Sequence, residues 1–120
     1  MTRAKFVQDE IREGGRVFLS TYLEMENAGL ILLSEGEDRL GTLAVSVPQK
    51  GELLGPPLSS VLLGDRNTTI ARILAERLAK NMTKIALVSV FTKTVSENEA
   101  GPILLKLVEK TIGKEEEGTE

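Results

Sequence analysis

Pro57-Leu58-Ser59-Ser60-Val61-Leu62-Leu63-Gly64-Asp65 runs directly into a segment of helical period over residues 67–80. The chain then returns through Lys84-Ile85-Ala86-Leu87-Val88-Ser89-Val90. Apolar residues end in Gly-Asp, a polar cap follows, and the repeat changes from strand-like to 3.6. That order predicts a strand turning sharply into a covering helix, followed by another strand. In the helix, Ile70, Ile73, Leu74 and Leu78 form the expected buried stripe, with Ala71 and Ala75 beside it. Arg72, Glu76 and Lys80 line the far side as i,i+4 neighbours, and the side chain of Asn67 or Thr68 is the expected N-cap.

Working outward, a second helix is expected to open at Gly101-Pro102, with proline in the tolerated first turn. Ile103, Leu104, Leu107, Val108 and Ile112 then recur at helical spacing, and Gly113 is the expected stop. Upstream, residues 6–11 read as a strand, and Arg12-Glu13-Gly14-Gly15 as a hairpin turn whose glycines supply positive φ. Residues 16–25 alternate, with Val17, Leu19, Leu23 and Met25 on one face and Phe18, Ser20, Tyr22 and Glu24 on the other. Residues 28–33 are apolar at nearly every position, and residues 40–47 alternate again. With short turns between them, these four strands predict an antiparallel meander. The expected fold class is α+β: a mostly antiparallel sheet of about six strands, order ββββ(β)αβα, with two main helices packed on it.

Two strands, over residues 28–33 and 85–91, are apolar almost continuously, a pattern that calls for cover on both faces. Two helices cover such a sheet thinly, so a dimer is expected to bury the rest. Phe18 and Tyr22 are candidates for that interface, against the favoured alternative that they pack under the C-terminal helix. Residues 48–57, rich in proline and glycine, read as a surface loop. Its Leu53-Leu54 pair either folds back onto the domain edge or is offered to a partner.

At 120 residues the chain is expected to form one domain over residues 1–113, with a disordered acidic tail at 114–120. A net charge of −3 argues against a general nucleic-acid binder, which needs a Lys/Arg excess for phosphate contacts. No apolar run approaches the ~20 residues of a membrane span, and residues 1–10 hold no signal-peptide core. The absence of cysteine points to the cytoplasm. With no His and no Cys, the chain lacks an imidazole base, a thiolate and the usual zinc ligands. Its acids fall in turns (Glu35, Glu37, Asp38) or on strand faces (Asp9, Glu10), which reads as solvated surface rather than a paired-carboxylate cleft. Ser59, Ser60, Lys80 and Lys84 supply the residue types of a Ser–Lys dyad without a motif to frame it. Gly64-Asp65-Arg66-Asn67-Thr68-Thr69 sits where helix N-termini attract anions, but it is neither a Walker loop nor a dinucleotide fingerprint, and Asp65 repels phosphate. No catalytic residue, metal or cofactor is therefore expected.

Four features in register resemble the small proteasome assembly chaperones of the third and fourth member type. They are Arg39-Leu40-Gly41-Thr42-Leu43, the strand end Leu62-Leu63-Gly64-Asp65, the helix over residues 70–78 and the strand over residues 85–90, with an amphipathic helix following. The resemblance spans residues 5–112 in order and spacing. It implies a non-catalytic, ATP-independent chaperone that binds proteasome α-subunits, promotes α-ring assembly and works as a homodimer or as a heterodimer with a paralogue. The ending Glu117-Gly118-Thr119-Glu120 lacks the hydrophobic-Tyr-any-residue tail of other assembly factors, which implies docking without tail insertion. The alternative reading is a generic dimeric scaffold module with another protein partner.

Overall fold

Gly14 and Gly15 hold φ of 58° and 79°, and fold strand β1 (Lys5–Glu13) antiparallel onto β2 (Arg16–Glu24). The computed structural model describes residues 3–49 and 58–118, the last four as helical backbone alone. A tight turn, closed by the Met25 N–H on the Ala28 carbonyl at 2.7 Å, leads to β3 (Ala28–Glu35), antiparallel to β2.

The meander stops there. The next strand, β4 (Thr42–Val47), does not pair with β3, because β6 (Ile85–Phe91) lies between them, parallel to β3 and antiparallel to β4. With β5 (Leu58–Leu63) outside β4, the order is β1-β2-β3-β6-β4-β5. The expected four-strand meander is corrected to a three-strand one. The two most continuously apolar strands, β3 and β6, take adjacent central positions where neighbours flank both edges. The chain reaches β4 by crossing over the end of β6. Gly41 makes the crossing possible: a Cβ there would run into the Val90 carbonyl and the Phe91 backbone. Its N–H donates to Ser89 Oγ at 2.8 Å, while Ser34 Oγ accepts from the Arg39 N–H at 3.1 Å and donates to its carbonyl at 2.9 Å. A mostly antiparallel six-stranded sheet with two helices is the α+β fold expected.

Helix α1 (Thr68–Met82) lies over β4, β5 and β6, and α2 (Glu97–Gly118) over β1 and β2. Both helices pack on the same face. The strand positions beneath them are in register: Phe18, Ser20 and Tyr22 beside Ile31 and Leu33, then Val88 and Val90, then Ala44. Leu74, Leu78, Leu104 and Leu107 close the core from above.

Several helix details depart from expectation. The buried stripe of α1 is Ala71, Leu74, Ala75, Leu78 and Ala79, and Ile73 is turned out, 52% exposed. The rotation puts three alanines against the sheet, where small side chains allow close approach. Asn67 sits at the N-cap with φ 61° but makes no side-chain cap; its amide donates to Thr92 Oγ1 at 3.0 Å. Glu97 does the capping instead, accepting from the Ile70 N–H at 2.8 Å. Helix α2 starts at Glu97 through a capping box: Glu99 N–H on Ser96 Oγ at 3.2 Å, and Ser96 N–H on the Glu99 carboxylate at 3.3 Å. Pro102 therefore lies inside the helix, and Gly113 does not end it, since helical backbone continues to Gly118 through part of the expected tail.

Candidate functional site

Strand alternation sends every second residue away from the helices. On that side Leu30, Leu87 and Val45 stand in one cross-strand row over β3, β6 and β4, and Leu32 and Leu43 flank Ser89 in the next. Val47, Ile85, Leu58 and Leu63 extend the apolar surface towards β5 and are exposed. No residue of β3, β6 or β4 on this face is charged up to Ser34, and the two serines, Ser34 and Ser89, are satisfied by the crossing segment 39–41. Arg39 covers that end, its guanidinium 5.5 Å from the Phe91 ring centre. Among the strands charge returns on β1, where Glu10 and Arg12 pair at 3.4 Å. The result is an apolar sheet face with a polar rim, the anatomy of a protein interface, and no described element covers its centre.

The residues singled out from sequence are placed elsewhere. Phe18 and Tyr22 are 0% and 1% exposed on the helix side of β2, so they build the core and offer no surface to a partner. Their neighbour Ser20 bonds Thr111 of α2 at 2.6 Å, which fixes them under the C-terminal helix. Leu53 and Leu54 lie outside the described residues. The residues that do form the face, such as Leu30, Leu87 and Val45, had a sequence signal in the continuous apolar runs, but which side stays bare depends on both helices choosing the other one.

The remaining polar groups are occupied structurally. Ser59 Oγ donates to Glu76 and accepts from Arg72 Nε at 3.0 Å, while Lys84 Nζ binds Glu24 at 2.7 Å, so Ser59 and Lys84 are engaged with other partners. At the Gly64–Thr69 turn, the Thr42 hydroxyl donates to the Arg66 carbonyl and Glu97 already holds the first-turn Ile70 N–H. That turn is a packed strand-to-helix connection. Glu35 is a buried carboxylate accepting the N–H groups of Lys93, Thr94 and Val95 at 2.7, 2.9 and 3.4 Å. Burial acts to raise its pKa, but these bonds and the Thr94 hydroxyl outweigh it and hold the group at about 2. Between α1 and α2 runs an open cleft of about 520 Å³, floored by Tyr22 and walled by Leu74, Leu78, Val108 and Ile112. Within it the Tyr22 hydroxyl donates to the Glu24 carboxylate at 3.1 Å, which Lys84 Nζ holds at 2.7 Å. Among the described residues no group of three or more acidic, His or Cys side chains is placed to hold a metal ion.

No protein-family model matches the chain, and no curated protein matches it in sequence. Solved structures do. The fold superposes on a chain of a chaperone complex for yeast 20S proteasome assembly, with a TM-score of 0.66 at 11% identity. The match covers 92% of this chain and 93% of that one. The chain is similar in fold to a proteasome assembly chaperone. At that identity the likeness is one of architecture, and it agrees with the family resemblance read from Leu40-Gly41-Thr42-Leu43 and Leu62-Leu63-Gly64-Asp65.

Proposed function

We propose that this chain is a non-catalytic, ATP-independent assembly chaperone of the cytoplasm that binds proteasome α-subunits and promotes α-ring formation. In this reading it acts as a dimer, two copies closing their open sheet faces on each other. The observation that carries the proposal is the uncovered apolar face on a fold shared, end to end, with a chain of a proteasome assembly chaperone complex. Burying the face has a physical motive. Each apolar residue removed from water contributes about 25 cal/mol per Å². Five strands about 4.8 Å apart give a face roughly 20 Å across, the scale of a standard interface of about 800 Å² per partner. A related chain with the same open face is a possible second partner by the same chemistry.

With the sheet faces joined, the helices and loops remain outside to meet an α-subunit. Assistance then comes from differential binding: contacts that favour subunits in ring register promote that register without any chemical step. The test is binding of purified protein to isolated α-subunits at tens of micromolar, with and without nucleotide, and to finished 20S particles. Nucleotide-independent binding to free subunits, and none to the finished particle, is expected. No binding to any isolated α-subunit sinks the chaperone reading and leaves a dimeric scaffold for another partner.

A further inference from the structure

The two edges of the sheet are built in opposite ways. β1 carries Lys5, Asp9, Glu10, Arg12 and Glu13, and α2 lays lysines along it. Lys110 Nζ donates to the Glu10 carbonyl at 2.7 Å and Lys114 Nζ to the Gln8 carbonyl at 3.2 Å. The Gly36 N–H meets the Val17 carbonyl on the β3 side of β2, so Leu19 and Thr21 turn their main chain that way too. Their partners on β1, Glu10 and Gln8, therefore point their carbonyls outward. The lysines occupy two of the acceptors that an added strand would need, and with the charges of β1 they guard this edge.

Among the described residues β5 carries no such charges, and its one interruption is an irregularity against β4 between Val61 and Leu63. Leu58-Ser59-Ser60-Val61-Leu62-Leu63 contains no charge and no proline, and Leu58, Leu62 and Leu63 are exposed. An uncharged, proline-free edge is a template for strand pairing. Beside it, α1 turns Ile73 outward over a groove of about 470 Å³ lined also by Val61, Arg72 and Glu76.

We propose that β5 of one copy pairs antiparallel with β5 of a second copy about a two-fold axis, joining two sheets edge to edge. One observation and two consequences of the pairing favour a second copy as the occupant. The strand meets itself without like-charge repulsion. The axis sets the two α1 helices antiparallel, so Ile73 of each is covered by the other. Arg72 and Glu76, four residues apart around that position, then face each other's opposite charge across the axis. This pairing is independent of the sheet-face contact proposed above, and where the two axes cross at right angles the two contacts together close as a tetramer of 13.1 kDa chains.

The chain contains no cysteine, so a single introduced thiol reports on proximity. Ile73→Cys is expected to form an intermolecular disulfide under diamide at least tenfold faster than Lys106→Cys, which sits beside the guarded edge. Ile73→Lys with Leu62→Lys, both at exposed positions, is expected to halve the sedimenting mass while leaving the far-UV circular dichroism unchanged. Equal crosslinking rates at the two sites, or an unchanged mass in the lysine variant, would overturn the proposal. Val47→Glu with Ile85→Glu on the sheet face separates the readings. Loss of mass there with no Ile73→Cys crosslink leaves the face dimer standing and refutes the edge. Crosslinking that persists in that variant supports the edge whatever becomes of the face.

Discussion

Glu35→Gln should destabilise the protein by an amount that depends on pH in a calculable way. The carboxylate ends β3 and accepts three consecutive N–H groups, from Lys93 to Val95, in the link that leads from β6 to the Ser96 cap of α2. Its folded pKa of about 2 lies below the ordinary 4.5. A depressed carboxylate contributes stability that is fully present above the unfolded value and is lost as pH falls through the folded one. At about 1.4 kcal/mol per unit, the difference amounts to about 3 kcal/mol at pH 7, falling to about 1 kcal/mol at pH 3. Glutamine can keep the one oxygen that accepts all three N–H groups, but it loses the charge. It also puts an NH₂ donor where the other oxygen accepts from the Thr94 hydroxyl and faces Arg16 at 3.8 Å, so it should lose most of that contribution. Urea melts of both proteins at pH 7 and pH 3 measure it. The gap between them should narrow by about 2 kcal/mol on acidification. A gap below about 1 kcal/mol at pH 7, or one that does not change with pH, would show that the carboxylate does not hold this link.

Other expectations follow from packing. Leu104→Ala, at a fully buried position in α2, should cost about 2–5 kcal/mol in a denaturant melt, while Ile73→Ala should change stability by less than about 0.5 kcal/mol in the dilute monomer. Gly41→Ala should cost several kcal/mol, because the new methyl meets Val90 and Phe91 backbone and not a side chain that can swing away; the same melt reads it. Val47→Glu with Ile85→Glu should lower the mass read at sedimentation equilibrium if the sheet face is a dimer interface, and an unchanged distribution would exclude that face.

Most of the elements were legible because their periods are local. The glycine pair at residues 14–15, the alternation of β2 and the apolar run of β6 each specify structure within a few residues. The insertion of β6 between β3 and β4 was not legible, since strand order is decided by which apolar surfaces compete for the centre. Two helix errors had signals. Ser96 and Glu99 form a capping box visible in the sequence, and it outweighs a proline five residues past the first helical residue, Glu97. The face of α1 was ambiguous between an isoleucine-centred and an alanine-centred stripe, and closeness of approach to the sheet decided it. Phe18 and Tyr22 stood open between interface and core for a related reason: alternation assigns residues to a face but not the face to solvent or core, and burial places both in the core. The interface candidates that survive come from the opposite registers of the same strands.

The late position of β6 in the chain has a consequence for synthesis. Until residues 85–91 leave the ribosome, the nascent polypeptide holds two fragments, β1-β2-β3 and β4-β5, each with a raw inner edge. The strand that joins them must enter between them, against one fragment in parallel and the other antiparallel. Such non-local pairing is slow, and unpaired edges invite wrong partners while it waits. A β6 borrowed from a neighbouring copy would satisfy the same gap, so exchange of the segment from β6 onward is the characteristic misassembly to which this topology is exposed.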